Sequence, residues 1–393
     1  MHILISPNAF KNSLDADAVA VAIEKGLQQS NLMCSTQCFP IGDGGDGTGT
    51  LITKACAGIF IKEMVHDPLG RIINTSFGLI ENGNTAVIEM ASASGLHLLK
   101  DTERDPLRTS SFGTGELINK ALDRNVTKII LCVGGSATID GGTGILSSLG
   151  IRFIDKRAKA LKDMPLTLKN LASIDTSGLD KRIHACEFII LCDVDNKLLG
   201  EKGASKIFGP QKGANEKQVN QLESALTHFS KVALQTTGID MTELVHGGAA
   251  GGVAAGLFTF LNARLVAGID YFLAITGFDN ALQHTNLVIT GEGSIDLQTL
   301  DGKAPYGIAI RAKKMNIPVF ALAGKIPLEK NEELNNCFDV LLSINPEPFE
   351  LSVALSSTEK NLITTGEFLG KLLQIYSIEM IVNQSIDKVL ISE

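Results

Sequence analysis

Short runs that are apolar throughout, each running into a glycine-bearing turn, recur along this 393-residue chain. Such a run suits a parallel strand covered on both faces, and parallel strands require crossover connections. Residues 3–6, 38–41, 287–290, 319–323 and 340–343 read as strands of this kind. Val19, Ala22, Ile23 and Leu27 give helical spacing over 15–28, and residues 304–315 read as a second helix. Ser13, Asp15 or Asp17 can cap the first helix. Strand, helix, strand in this order predicts parallel strands with right-handed crossovers. Further on, 86–89, 128–133 and 188–192 alternate with helical stretches such as 115–123. The expectation is an α/β protein of two domains. One is discontinuous over 1–65 and 284–393, a Rossmann-like or flavodoxin-like, doubly wound, mostly parallel sheet. The other is an α/β domain inserted over 66–283.

Ligands of open parallel sheets sit beyond the carboxyl ends of strands, so the turns there are the candidate site. One reads Gly42-Asp43-Gly44-Gly45-Asp46-Gly47-Thr48 and another Gly291-Glu292-Gly293-Ser294-Ile295-Asp296. Glycine admits close approach of backbone N–H groups, and paired acids can hold a divalent cation. Both turns suit a Mg²⁺-bound phosphoryl donor. Asp43, Asp46, Glu292 and Asp296 are the expected metal ligands. Gly44, Gly45, Gly47, Thr48, Gly291 and Gly293 are the expected nucleotide contacts. Gly42, Gly44 and Gly47 also satisfy the dinucleotide pattern G-x-G-x-x-G, but two carboxylates would repel a pyrophosphate unless a cation stood between. Taken alone, the first turn reads equally as a tight turn with its acids in water.

Lys11, after the first strand, and Lys303, opening a helix, can pair with phosphate oxygens. Asp193 follows the apolar run 188–192, where a carboxylate can take a proton from a substrate hydroxyl. The loop 134–142 offers N–H groups, hydroxyls and an acid; Gly135, Ser136, Thr138 and Asp140 are its candidates for holding a small carboxylate. Asn8, Ser13, Arg71 and Ser94 are lesser substrate-binding candidates. There is no Walker loop, because Gly302-Lys303 is followed by Ala304. The protein-kinase signatures, H-E-x-x-H and the G-x-S-x-G elbow are absent as well.

The net charge of −8 without a basic cluster argues against a nucleic-acid partner. Seven scattered Cys without a C-x-x-C pair read as reduced thiols in the cytoplasm. Residues 244–263 carry no Asp, Glu, Lys or Arg and are long enough for a membrane span, but their bunched glycines read as a loop feeding a buried helix. No membrane partner is expected.

Long segments of the chain resemble the bacterial glycerate kinase family. They include Lys11-Asn12-Ser13-Leu14, Asp43 through Thr48, Pro68-Leu69-Gly70, Arg104-Asp105-Pro106-Leu107 and Gly134-Gly135-Ser136-Ala137-Thr138. Also matching are Gly203 through Ala214, Val288-Ile289-Thr290-Gly291-Glu292-Gly293 and Gly302-Lys303-Ala304-Pro305. The resemblance implies two α/β domains with the active site in the cleft between them, and ATP and Mg²⁺ as cosubstrate and metal. It implies D-glycerate as acceptor and 2-phosphoglycerate as product. The alternatives are transfer giving 3-phosphoglycerate, a non-catalytic nucleotide- or sugar-acid-binding relative, or a nicotinamide oxidoreductase. A homodimer is allowed for. Asn8, Phe112, Ile139 and Ser294 depart from the residues associated with relatives, which are Asp, Arg, Asn and Arg respectively.

Overall fold

The structure, a computed structural model, describes residues 1–329, 331–348 and 350–390. In chain order its strands are β1 (His2–Pro7), β2 (Ser35–Cys38), β3 (Ile59–His66), β4 (Ile72–Ile80), β5 (Thr85–Glu89), β6 (Lys128–Cys132) and β7 (Arg152–Asp155). β8 (Leu171–Asp175), β9 (Glu187–Cys192), β10 (Arg264–Ala267), β11 (Leu287–Ser294), β12 (Val319–Lys325) and β13 (Val340–Ser343) follow. The chain separates into two compact units, 1–42 with 277–393, and 43–276.

The discontinuous unit holds a five-stranded sheet in the order β13-β12-β11-β1-β2. Every pairing in it is parallel. Counted within the unit this is the order 2-1-3-4-5 of flavodoxin-like sheets, whose winding reverses between β1 and β11. The apolar runs do what their composition asks: Ile3, Leu4, Ile5, Val288, Ile289 and Val319 have no exposed surface. The strand expected at 38–41 is centred earlier, on Ser35–Cys38, although the N–H groups of Phe39 and Ile41 still reach the carbonyls of Ile5 and Pro7 at 2.8 and 3.0 Å.

The helix Ala16–Gln29 is capped by Asp15, whose carboxylate accepts from the Ala18 N–H at 2.8 Å. Ser13 instead donates its hydroxyl to the Leu355 carbonyl at 2.6 Å. This helix packs on the long helix Thr358–Leu390 through small residues. A Cβ on Gly26 would lie 2.2 Å from the Ile363 carbonyl, and one on Gly370 would lie 2.0 Å from Ser30 Oγ.

The unit 43–276 contains a six-stranded sheet in the order β10-β9-β6-β5-β4-β3 and a β7-β8 ribbon. β5, β6, β9 and β10 are mutually parallel, while β4 runs against its neighbours. The boundaries expected near residues 65 and 284 lie at 42/43 and 276/277 instead. β3 pairs along its length with β4, from Ile59↔Leu79 to His66↔Ile72, which carries residues 43–65 into the inserted unit. At the far end Phe278 packs edge-on to Phe39, with ring centroids 5.3 Å apart, and so belongs with the sheet of β1.

The charge-free stretch 244–263 resolves into the helix Ala249–Leu261, entered through Ala250, Gly251 and Gly252 at φ 52, 69 and 90°. The helix is buried in the core of its unit. Among the described residues no helix is long and apolar enough to cross a membrane.

Candidate active site

In the unit 43–276 the first acidic turn lies across the carboxyl ends of three strands. The Gly44 carbonyl accepts from the Gly134 N–H at 3.0 Å, beyond β6. A Cβ on Gly44 would stand 2.8 Å from the Leu191 carbonyl of β9. A Cβ on Gly268, just past β10, would stand 2.0 Å from the Asp43 carbonyl. Gly44 has φ 97°, so both its conformation and its surroundings exclude a side chain. The glycines thus let one loop be laid over others with backbone against backbone.

The turn is closed by Thr48, whose hydroxyl accepts from the Gly44 N–H at 3.1 Å. Asp43 accepts from the Gly45 N–H at 3.1 Å. Asp46 is exposed and flanks Gly135, whose Cβ position lies 3.3 Å from the Asp46 carboxyl carbon.

Behind the turn, the helix Thr48–Ala55 does not leave its N–H groups open. Glu89, the last residue of β5, accepts from the Thr50 N–H at 3.0 Å. Burial pushes the Glu89 carboxyl up and Asp46 adds to this, while the N–H groups of Thr50 and Gly49 pull it down. Thr48 itself is 1% exposed. Of the expected nucleotide contacts in this turn, Gly45 and Gly47 retain accessible surface, and Gly44 and Thr48 are interior. Sequence reasoning passed over Glu89, although an acid at the end of an apolar run was the same signal that singled out Asp193.

The loop 134–142 continues this edge. Gly135, Gly141 and Gly142 take φ 69, 63 and 77°. The loop is tied back by the Leu96 N–H on the Gly135 carbonyl and the Ala137 N–H on the Ser94 carbonyl, both 2.8 Å. Asp140 has no exposed surface. Its carboxylate accepts from Ser111 N–H and Oγ–H and from the N–H groups of Gly142 and Gly144, at 2.7 to 3.2 Å. In this arrangement the Asp140 carboxylate holds the loop together. Ser94 is likewise fully buried, sharing a 2.7 Å hydrogen bond with Thr114, and so is Thr138. Gly135 remains exposed beside Asp46, and Ser136 next to it keeps 6% of its surface.

Asp193 is exposed directly after β9, one residue beyond the stretch against which Gly44 packs. Arg71 is held by its neighbours. Its guanidinium bonds Asp67, and also Glu103 at 2.9 Å and the Leu98 carbonyl at 3.3 Å. Phe112, where relatives were expected to carry Arg, stacks edge-on to His66 at 5.9 Å.

In the discontinuous unit, the loops after β1 and β11 meet at the point where the sheet reverses. The Asn8 N–H donates to the Gly291 carbonyl at 2.8 Å. Gly291 is required by the sheet, since a Cβ there would fall 2.2 Å from the Leu322 carbonyl. Gly293 has no such constraint; its nearest neighbour would be the Lys11 N at 3.6 Å. The missing side chain at Gly293 therefore leaves room at the switch point next to the Lys11 backbone.

Glu292 is 8% exposed and accepts from Thr299 Oγ at 2.9 Å. Asp296 caps the turn Leu297–Asp301, accepting from the Gln298 N–H at 2.9 Å. Lys303 is the N-cap of the helix Ala304–Lys314, with Pro305 in its first turn. Lys11 is exposed.

The four acids expected around a metal thus divide two and two: Asp43 and Asp46 in one unit, Glu292 and Asp296 in the other. Among the described residues no group of three or more His, Cys, Asp or Glu forms a metal cage. Mg²⁺ commonly takes one or two carboxylates plus substrate phosphates and keeps several waters, so its fit here is carried by the chemistry of the acid pairs alone. All seven cysteines are free thiols.

Two α/β units, each with glycine-and-acid loops at the carboxyl ends of parallel strands and neither with a Walker sequence, make up an α/β protein whose strand-end loops are its candidate ligand sites. The chain belongs to the glycerate kinase family, whose sequence profile matches residues 3–374. It is 43% identical over 346 residues to a glycerate kinase of Bacillus subtilis strain 168, covering 88% of this chain and 91% of that one. It is 41% identical over 348 residues to glycerate 2-kinase of Escherichia coli K12, again covering 88% and 91%. A crystal structure from Salmonella typhimurium LT2 assigned to glycerate kinase 2 superposes with a TM-score of 0.80 at 40% identity, covering 96% and 99% of the two chains.

Proposed function

We propose that the protein transfers the γ-phosphoryl group of ATP to the 2-hydroxyl of D-glycerate, giving 2-phosphoglycerate and ADP. Family membership supports the acceptor. The observation that carries the assignment to this chain is the convergence of Asp43, Asp46, Gly135, Ser136 and Asp193 at one strand edge.

Asp193 takes the proton of the attacking hydroxyl. The O2–P bond forms as the bond from the γ-phosphorus to the β,γ-bridging oxygen breaks, and ADP leaves. Lys11 and Lys303 offset phosphate charge. Asp43 and Asp46 in one unit, and Glu292 and Asp296 in the other, are two carboxylate pairs either of which would hold Mg²⁺, which supplies charge neutralisation on the phosphates. Gly135 and Ser136 receive the carboxylate of the acid. ATP and thiols that stay reduced both suit the cytoplasm.

Coupled ADP release with D-glycerate, L-glycerate, tartronate and no acceptor tests the reading, and phosphorus NMR of the product identifies the phosphorylated hydroxyl. Release with D-glycerate and a 2-phosphate product is expected. Release of a 3-phosphate corrects the regiochemistry. Failure of every acid with folded protein overturns the proposal.

A further inference from the structure

Lys212 stands in the turn Pro210–Lys212, which Gly213 ends at φ 96°. It is 3% exposed. Its ammonium lies beneath the 134–142 loop, donating to Ser136 Oγ at 2.9 Å and to the Thr138 carbonyl at 2.8 Å. Both partners are neutral oxygens. Burial pulls its pKa down to about 7, against the opposing pull of Asp140 and Asp193. An ammonium buried on neutral partners is a poor stabilising device compared with an apolar side chain of similar size. Its place under a substrate loop therefore calls for a role other than stability.

A hydroxyl has one proton and two lone pairs. When the Lys212 ammonium donates to Ser136 Oγ, the serine proton must point to another acceptor, and the neighbouring charge strengthens it as a donor. Ser136 keeps 6% of its surface and follows the exposed Gly135. We propose that Lys212 is a positioning residue for the carboxylate of the acceptor: it orients the Ser136 hydroxyl outward as a donor and makes the 134–142 loop attractive to an anion. The inference rests on the reading that this loop receives the substrate acid.

The test uses the full chain as wild type, Lys212→Met, Lys212→Gln and Ser136→Ala, with D-glycerate and ATP varied separately and each protein melted thermally. In Lys212→Met and Ser136→Ala the KM for D-glycerate should rise about tenfold or more, the loss expected for a charge-assisted hydrogen bond. Loss of uniform binding should leave kcat within about threefold and the KM for ATP unchanged. Lys212→Met should melt at or above the wild-type temperature, and Lys212→Gln, which keeps a donor, should recover part of the affinity. A lysine with a merely structural role would lower the melting temperature and disturb both substrates together, which would overturn the proposal. An unchanged acid KM in folded Lys212→Met would also overturn it. If that variant does not fold, Ser136→Ala decides, because an unchanged acid KM there removes the hydroxyl through which Lys212 acts. A wild type silent with D-glycerate overturns the functional reading and this inference with it; an active wild type with unaltered variants overturns this inference alone.

Discussion

Asp193 and Lys212 approach the same strand edge from opposite degrees of burial, and their substitutions should separate. Asp193→Asn keeps the shape and removes the base. It should lower kcat by about a hundredfold or more, with the affinity for ATP unchanged in equilibrium binding. Normal turnover would move the base elsewhere.

Lys212 has a signature in stability as well. Its folded pKa of about 7 lies below its ordinary 10.5. Between those values the unfolded chain holds a proton that the folded chain has released, so stability rises with pH across that window. Below about pH 7 both states are protonated and the burial penalty stands in full. Relative to Lys212→Met, the wild type should gain on the order of 2 kcal/mol between pH 7 and 9, measured by denaturant unfolding at each pH. A constant difference would mean that the buried amine does not titrate in that range. No local pattern marks Lys212 as buried. It shares its stretch with Lys202 and Lys206, and only the three-dimensional path of the 134–142 loop covers it. Asp140 shows the converse: a glycine-flanked acid looks open in sequence, and only the fold brings Ser111, 29 residues earlier, onto its carboxylate.

Among the elements, the packing of Ala16–Gln29 on Thr358–Leu390 sets two effects against each other. In a solvated helix, glycine to alanine gains about 1 kcal/mol of propensity. At Gly26 the added methyl meets the Ile363 carbonyl at 2.2 Å, and overpacking of this kind costs about 1–3 kcal/mol. Gly26→Ala should therefore lower the melting temperature, and a rise would show that the helices can separate without penalty. The strands of the parallel sheet were legible because burial on both faces forces continuous apolar runs. The β3–β4 hairpin was not. Its exposed residues, among them Phe60, Met64 and Ile72, break the inside–outside contrast on which strand reading depends. That one missed pairing is why the domain boundary was placed near residue 65 rather than at 42/43.

At the scale of the molecule, each compact unit carries one acid pair proposed for Mg²⁺, so each pair can be tested by one substitution. Asp46→Asn and Asp296→Asn should each cut turnover by orders of magnitude while leaving the circular dichroism spectrum unchanged. Asp296→Asn retains an amide oxygen able to cap its turn. Near-normal turnover in either variant removes that unit's acids from the metal set, and chelation of Mg²⁺ should abolish turnover in the wild type. The flavodoxin-like order of the first sheet agrees with the fold anticipated from the β-α-β grammar.

That discontinuity has a consequence for biosynthesis. β1 pairs with β11, from Ile3↔Leu287 onward, so the first strand made must wait for a partner translated far later. Until then it has β2 alone, and a two-stranded sheet is marginal in water. Residues 43–276, by contrast, contain all the strands of their own sheet and can close it while the rest is still on the ribosome. The nascent chain should therefore carry a folded insert tethered to an apolar strand β1 whose β11 edge is still open. For that interval His2–Pro7 is the segment most in need of a chaperone.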